Sequence, residues 1–405
     1  MSELRVLHLL PDLATGGGQV IVHNLVTAPA EGVHHVVAAL GGGPMEAAFD
    51  AAGVTVVRCD ARGPFGPVRA GLALSRLVRG EGCEVIHTNN TPRDRIVGLV
   101  VAALTGRPLV NTLMAVATSH QPRRPGEPVA RFARRRLGNL VNRLLARLGP
   151  LRITALSDTV RRSHAAALRL PPERIEVIPP GIPTGAVPDQ AALEALRDEL
   201  GLHGAYPVLI SVGRLEENKG QRDLVEVLGA LATRFEHVRL LLAGDGPDHE
   251  RLAAGFEAAG LGDRALLLGR RTDMAELYQV SDIMVSTARL EGFGMAALEA
   301  LAGGCAVAGY VNEHVALGEF VADGDTGRLV PVDPPSLARA IAELAADPAD
   351  LDRRTRRCRE AAAAHSAERS AATMVELYRT ITADPGRARR RRLPTVPVGP
   401  LRGAR

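Results

Sequence analysis

Short runs rich in Val, Ile and Leu alternate with segments of helical period from the first residues onward. The runs Arg5–Leu10, His34–Leu40, Val54–Arg58, Glu84–Thr88, Leu109–Leu113, Arg152–Leu156 and Arg174–Ile178 are apolar on both faces, as strands buried in a parallel sheet are. Between them, Gln19–Thr27, Arg69–Val78, Arg93–Leu104 and Asp158–Leu168 predict helices, which makes βαβ units with helices on both sides of a sheet. The stretch PPGIPTGAVPDQ (Pro179–Gln190), with four Pro and two Gly, can continue neither element and predicts a linker. Beyond it the alternation restarts. Strands are predicted at Val208–Val212, Arg239–Ala243, Ala265–Leu268, Ile283–Ser286, Ala306–Ala308 and Arg328–Val330. Helices are predicted at Gln221–Thr233, Asp248–Ala259, Met274–Val280, Met295–Ala302 and Pro335–Ala345.

The pattern therefore predicts an α/β protein of two Rossmann-like, doubly wound domains facing a central cleft, with ligands at the carboxyl ends of the strands. A length of 405 residues agrees, because single cores stop growing at roughly 250–300 residues. The expected division is a first domain over 1–180, a linker over 181–190 and a second domain over 191–365. A helix over 366–384 then packs back on the first domain, and a disordered Arg-rich tail fills 385–405.

Charge changes the picture only locally. The formal charge of +4 and pI near 9.1 invite a nucleic-acid reading, yet seven Arg sit in residues 387–405 and nine Arg against one Glu in residues 123–152. The rest of the chain is acidic. Aromatic residues make up 3%, with no interleaving among the basic ones, so no nucleic-acid partner is expected. Segment Ala130–Leu148 has one broad apolar face ringed by Arg. It reads first as a core-packed helix with a solvated Arg face, and second as a basic amphipathic helix on an anionic membrane or a phosphorylated acceptor. Cys59, Cys83, Cys305 and Cys358 share no finger or CxxC spacing, which argues against a zinc site or a disulfide framework. No run approaches the ~18–20 apolar residues that span a bilayer, and no leader pattern opens the sequence. A cytoplasmic protein is expected, with peripheral membrane contact through residues 123–152 left open.

Of the 49 basic residues only Lys219 is lysine. It lies in SVGRLEENKGQRDL (Ser211–Leu224), where a strand end, Arg214, Lys219 and a helix start would place two cations and free N–H groups around a diphosphate. In ARLEGFGMAALEALAGG (Ala288–Gly304), Glu291 and Glu299 flank a glycine-bounded Phe293, and carboxylates accept paired hydrogen bonds from vicinal diols. In ATGGGQV (Ala14–Val20), three glycines open the first helix and permit close approach of a ligand.

These motifs, with LLAGDGP (Leu241–Pro247) and VADGDTGRLV (Val321–Val330), resemble the retaining GT-B glycosyltransferases of family 4 (glycosyl transferases group 1), over nearly the whole chain to about residue 382. The resemblance implies a hexosyltransferase that needs no metal and no cofactor, with a nucleoside diphosphate sugar as co-substrate. It puts Arg214 and Lys219 on the donor diphosphate, Glu291 and the backbone of Phe293, Gly294 and Met295 on the transferred sugar, and Glu299 on the ribose. Arg271 falls where the family's backbone meets the base, and Gly17 and Gly18 where the N-terminal loop approaches donor and acceptor. Three positions depart from the family pattern. Met114 stands where a histidine is usual, Gln19 where an acid is usual, and PPGIP replaces the linker's common Asn-Gly-x-Asp. Gln19, His87, Asn89, Met114 and His120 are the residues expected on the acceptor side. Asp323 and Asp325, though spaced like a metal-binding pair, fall in the family's Asp-Gly turn. The implied acceptor is the hydroxyl of a glycolipid or surface-polysaccharide precursor. A small natural product such as an aminocyclitol, a sugar-nucleotide epimerase and a non-catalytic relative are the alternatives.

Overall fold

The computed structural model describes residues 3–63, 65–89, 91–117, 129, 151–183 and 189–383, except the side chains of Pro92 and Asp352. His120, most of the Arg-rich stretch 123–152, part of the linker and the tail 385–405 lie outside the described residues.

The chain forms two compact units, whose described parts are residues 3–183 with 365–383, and 189–364. The first begins with β1 (Leu4–Leu10), α1 (Gly17–Thr27), β2 (Val33–Ala39), α2 (Met45–Ala51), β3 (Thr55–Arg58) and α3 (Gly66–Gly80). It continues through β4 (Val85–Thr88), α4 (Pro92–Thr105), β5 (Leu109–Leu113), β6 (Leu151–Ala155), α5 (Asp158–Leu168) and β7 (Ile175–Val177). Its seven strands are parallel in the order β3-β2-β1-β4-β5-β6-β7. Local chemistry sets the helix ends. Thr91 caps α4 by accepting from the Asp94 amide, Pro92 fits the first turn, and Gly106 closes it at φ 70°. The seven-residue α2 is a helix that the periodicity did not reveal.

The second unit holds α6 (Gln190–Glu199), β8 (Val208–Val212), α7 (Asp223–Ala232), β9 (Arg239–Ala243), α8 (His249–Ala258), β10 (Ala265–Gly269) and α9 (Met274–Gln279). Then come β11 (Ile283–Ser286), α10 (Met295–Gly303), β12 (Ala306–Tyr310), β13 (Gly327–Val330), α11 (Pro334–Leu344) and α12 (Pro348–Ala363). Its six parallel strands run β10-β9-β8-β11-β12-β13 around a core that includes Leu209, Leu228, Leu240, Leu242, Ile283, Val285 and Ile341. In both sheets the order reverses once, between β1 and β4 and between β8 and β11, and the loops leaving those strands are where open parallel sheets bind ligands.

The chain then returns to the first unit as α13 (Ala367–Ala383). The departing and returning segments lie side by side: the Ile182 amide donates to His365 O at 3.1 Å and the Ala367 amide to Ile182 O at 2.8 Å. Gly181 is required there, since a Cβ would sit 2.2 Å from Ser366 O. α13 buries Ala371, Met374, Val375, Leu377, Tyr378 and Ile381 against Leu4, Val6, Leu25, Val85 and Val110. Each large apolar side chain so buried contributes about 1.5–3 kcal/mol.

Candidate active site

At the reversal in the second sheet, the loops that follow β8 and β11 meet. After Val212 the backbone swings out at Gly213 (φ 141°), passes Arg214, makes a 3-10 turn over Glu217–Lys219 and enters α7 through Gly220 (φ 66°). A Cβ on Gly220 would lie 2.3 Å from both Thr287 O and Arg289 Nη1, so the approach admits only glycine. The Arg289 amide donates to Asn218 O at 3.0 Å and the Thr287 hydroxyl to Lys219 O at 2.9 Å. The Arg289 guanidinium then holds Asp223 at 2.9 Å, and Asp223 Oδ2 also accepts from the Tyr310 hydroxyl at 2.8 Å. Sequence reasoning did not find Arg289, Asp223 or Tyr310, although Arg289 lies two residues before Glu291.

Within this frame Lys219 Nζ donates to Glu291 Oε2 at 2.6 Å, both side chains being half-buried. Glu291 is pinned through its backbone, donating to His314 O at 2.9 Å and accepting from the Ala316 amide at 3.1 Å. Arg214 is 70% exposed and touches Glu216 at 3.2 Å. The structure thus brings Lys219 and Glu291 together and leaves Arg214 at the surface beside Glu216.

Three residues beyond Glu291, Gly294 (φ 104°) turns the chain into α10. Phe293 is buried and stacks on Phe320 with ring centroids 4.8 Å apart, and the Met295 side chain is buried too. What this segment offers a ligand is backbone, chiefly the first N–H groups of α10, which have no partner within the helix. Farther along α10, Glu299 Oε2 accepts from the Tyr278 hydroxyl at 3.1 Å. Burial pushes the Glu299 carboxyl up to about 7, against the opposing pull of that hydrogen bond. Arg271 spends its guanidinium on Asp273 at 2.8 and 2.6 Å and on Glu199 at 2.8 Å, and the Asp273 bonds hold its pKa above the usual range.

Among the described residues no cluster of three or more His, Cys, Asp or Glu could hold a metal ion. Asp323 accepts from the Leu329 amide and Asp325 pairs with Arg357, so each has a structural partner.

In the first unit Gly17, Gly18 and Gln19 open α1. A Cβ on Gly18 would come within 3.1 Å of Met114 Sδ, and Gln19 Nε2 donates to Asp12 Oδ1 at 2.7 Å. Asn89 is buried and donates to Leu9 O at 3.1 Å. His87 is buried with both ring nitrogens engaged, Nδ1 with the Tyr378 hydroxyl and Nε2 with Thr112 Oγ1, each at 2.6 Å. Burial and then neighbouring His35 lower its pKa to about 3. The cavity that His87, Asn89, Thr112 and Met114 line holds about 20 Å³, space for one water. A larger hollow of about 470 Å³ opens at the carboxyl ends of β2 and β3, lined by Leu40, Gly41, Gly42, Arg58, Asp60 and Arg62, residues that sequence reasoning did not single out.

Residues 15–186 match the family described as Glycosyltransferase Family 4, and residues 193–365 the family described as Glycosyl transferases group 1. The D-inositol 3-phosphate glycosyltransferase of Xylanimonas cellulosilytica is 30% identical over 344 residues, 77% of this chain and 76% of that protein. A GDP-mannose-dependent alpha-(1-6)-phosphatidylinositol monomannoside mannosyltransferase of Mycolicibacterium smegmatis is 30% identical over 233 residues, 55% of this chain. The match spans 57% of that relative's own length. Anabaena Alr3699/HepE, solved in complex with UDP, shares the fold at a TM-score of 0.77 and 20% identity, covering 93% of this chain and 100% of that one.

Proposed function

The chain belongs to the GT-B glycosyltransferases of family 4, and on that premise we propose that it moves a hexose-type sugar from a nucleoside diphosphate sugar to a hydroxyl acceptor, with retention and without a metal ion. The observation that carries the reading is the 2.6 Å Lys219–Glu291 pair at the β8–β11 reversal, with Glu291 four residues before the first residue of α10. A binding donor gives Lys219 a diphosphate oxygen in exchange for the Glu291 carboxylate. Glu291 is then released to accept hydrogen bonds from the sugar hydroxyls. Arg214 swings in as the second cation. As the bond between the anomeric carbon and the diphosphate oxygen breaks, its electron pair stays on the diphosphate, where Lys219, Arg214 and the α10 amides stabilise the growing charge. The acceptor oxygen bonds the same carbon from the leaving-group side, and its proton passes to the departing phosphate, so no protein nucleophile is needed. Glu299 takes the ribose diol. The acceptor is a glycolipid or surface-polysaccharide precursor.

The test is calorimetry with nucleoside diphosphates and variants at position 219. A charged hydrogen bond contributes about 1.5–3 kcal/mol, so Lys219→Ala weakens binding about 10–150-fold. Lys219→Arg weakens it as well, because a planar fork does not replace a compact ammonium. An unchanged dissociation constant in both variants refutes the diphosphate role. Donor incubated without acceptor is hydrolysed slowly; interconversion of the sugar would mark an epimerase, and tight binding without turnover a non-catalytic relative.

A further inference from the structure

The Lys219–Glu291 pair joins two loops, and its geometry depends on where each loop stands. Strands β8, β11 and β12 lie side by side, and Arg289, in the loop that leaves β11, is tied to the loops on both sides of it. Toward β8, its amide donates to Asn218 O at 3.0 Å, one residue before Lys219. Its guanidinium donates from Nη2 to both oxygens of Asp223, the first residue of α7, at 2.9 and 3.1 Å. Toward β12, its carbonyl accepts from Asn312 Nδ2 at 3.3 Å. Asn312 Oδ1 in turn accepts from the His314 amide at 2.7 Å, in the same loop whose His314 O and Ala316 amide hold Glu291. Tyr310, fully buried at the end of β12, closes the circuit by donating to Asp223 Oδ2 at 2.8 Å. Stability does not account for so many ties at one residue. The Arg289 side chain is 43% exposed, and an ion pair so open to water adds little. What the circuit fixes is position. The guanidinium lies against the turn that carries Lys219, since a Cβ on Gly220 would meet Nη1 at 2.3 Å.

We propose that Arg289 is a positioning residue for the transfer reaction. With Asp223 and Tyr310 it sets the spacing of the Lys219 ammonium and the Glu291 carboxylate, without touching the donor. The proposal rests on the transferase reading, because only a bound donor makes that spacing matter. A diphosphate oxygen and a sugar hydroxyl are held apart by the donor's own covalent bonds, so the cation and the carboxylate that receive them must be spaced to match. Lys219 carries its charge on a flexible four-carbon stem, which leaves the turn beneath it to keep the ammonium in place. Arginine suits position 289 because its rigid planar guanidinium leaves the tie to Asp223 one geometry, where a lysine keeps the charge but not the shape.

The test is a double-mutant cycle on the full chain, read by calorimetry with UDP and GDP as the probes. Arg289→Ala weakens binding of whichever diphosphate the wild type takes by about tenfold, a part of the loss expected for Lys219→Ala. Its melting temperature falls by no more than about 4 °C, as for a surface ion pair. In a Lys219→Ala background the same change costs less than about twofold, because the group it positions is gone. Arg289→Lys falls between, at about threefold. If Arg289→Ala does not fold, Tyr310→Phe, which takes one hydrogen bond from Asp223, runs the same cycle with a loss of about threefold. Undiminished affinity in Arg289→Ala overturns the proposal. So does an equal loss with and without Lys219, since Arg289 then acts on the ligand directly or on the fold at large. A wild type that binds neither probe, or binds it no better than Lys219→Ala does, refutes the transferase reading and this role with it. A Lys219 effect without an Arg289 effect refutes this role alone.

Discussion

Two residues of the second unit invite direct tests. Gly220 sits at φ 66° with no space for a Cβ beside Thr287 O and Arg289 Nη1. Gly220→Ala must shift backbone that carries Lys219, so it costs about 1–3 kcal/mol of stability. Thermal unfolding reads that loss, and calorimetry reads a weaker nucleoside diphosphate affinity beside it. Glu299, with its carboxyl raised to about 7, is half-protonated near neutrality. The ionised form accepts both hydrogen bonds of a ribose diol and the protonated form does not. Affinity for a nucleotide sugar, whose diphosphate stays ionised throughout, therefore rises severalfold as pH climbs through about 7, and Glu299→Gln flattens that profile. A flat wild-type titration between pH 6 and 8 would remove Glu299 from the ribose role.

Among the elements, the strands were the most legible. Buried parallel strands are apolar on both faces, and runs such as Leu109–Leu113, Val208–Val212, Arg239–Ala243 and Ile283–Ser286 have the observed bounds. α2 was not legible because seven residues of Met, Ala, Phe and acid give too few turns for a period to show. Contacts between distant residues were beyond reach for a different reason. His87 reads as a polar residue near a strand end, and nothing in its neighbourhood announces Tyr378, 291 positions away, as its partner. Lys219 and Glu291 were each singled out from their own motifs as candidate donor ligands, but their pairing with each other depends on two loops meeting across 72 residues. The α13 contact is testable. Tyr378→Phe strips His87 Nδ1 of its partner in a buried place and lowers stability by about 1–3 kcal/mol, read by chemical denaturation. His87 and His35 carry folded pKa values of about 3 and about 4, below the ordinary 6.5. The unfolded chain therefore takes up protons that the folded chain refuses. The stability so gained is complete above pH 6.5 and drains away as pH falls toward 4, which a series of melting temperatures checks.

At the scale of the whole molecule, the terminal segments divide sharply. Removing residues 387–405 leaves donor turnover unchanged, whereas stopping the chain before Ala367 uncovers Leu4, Val6, Val85 and Val110 and leaves the first unit insoluble; assays and solubility of the two truncations check the contrast. The return of α13 to the first unit also fixes an order of events in the cell. Translation proceeds from the amino end, so the seven-stranded sheet emerges from the ribosome while its covering helix is still untranslated. The ribosome must add the 200 residues from Thr184 to Ala383 first, which at ≈5–20 residues per second takes on the order of 10–40 s. For that interval the sheet waits half-dressed. Slower synthesis lengthens its exposure, so rare codons in the second unit are expected to raise the demand for chaperones that shield the first.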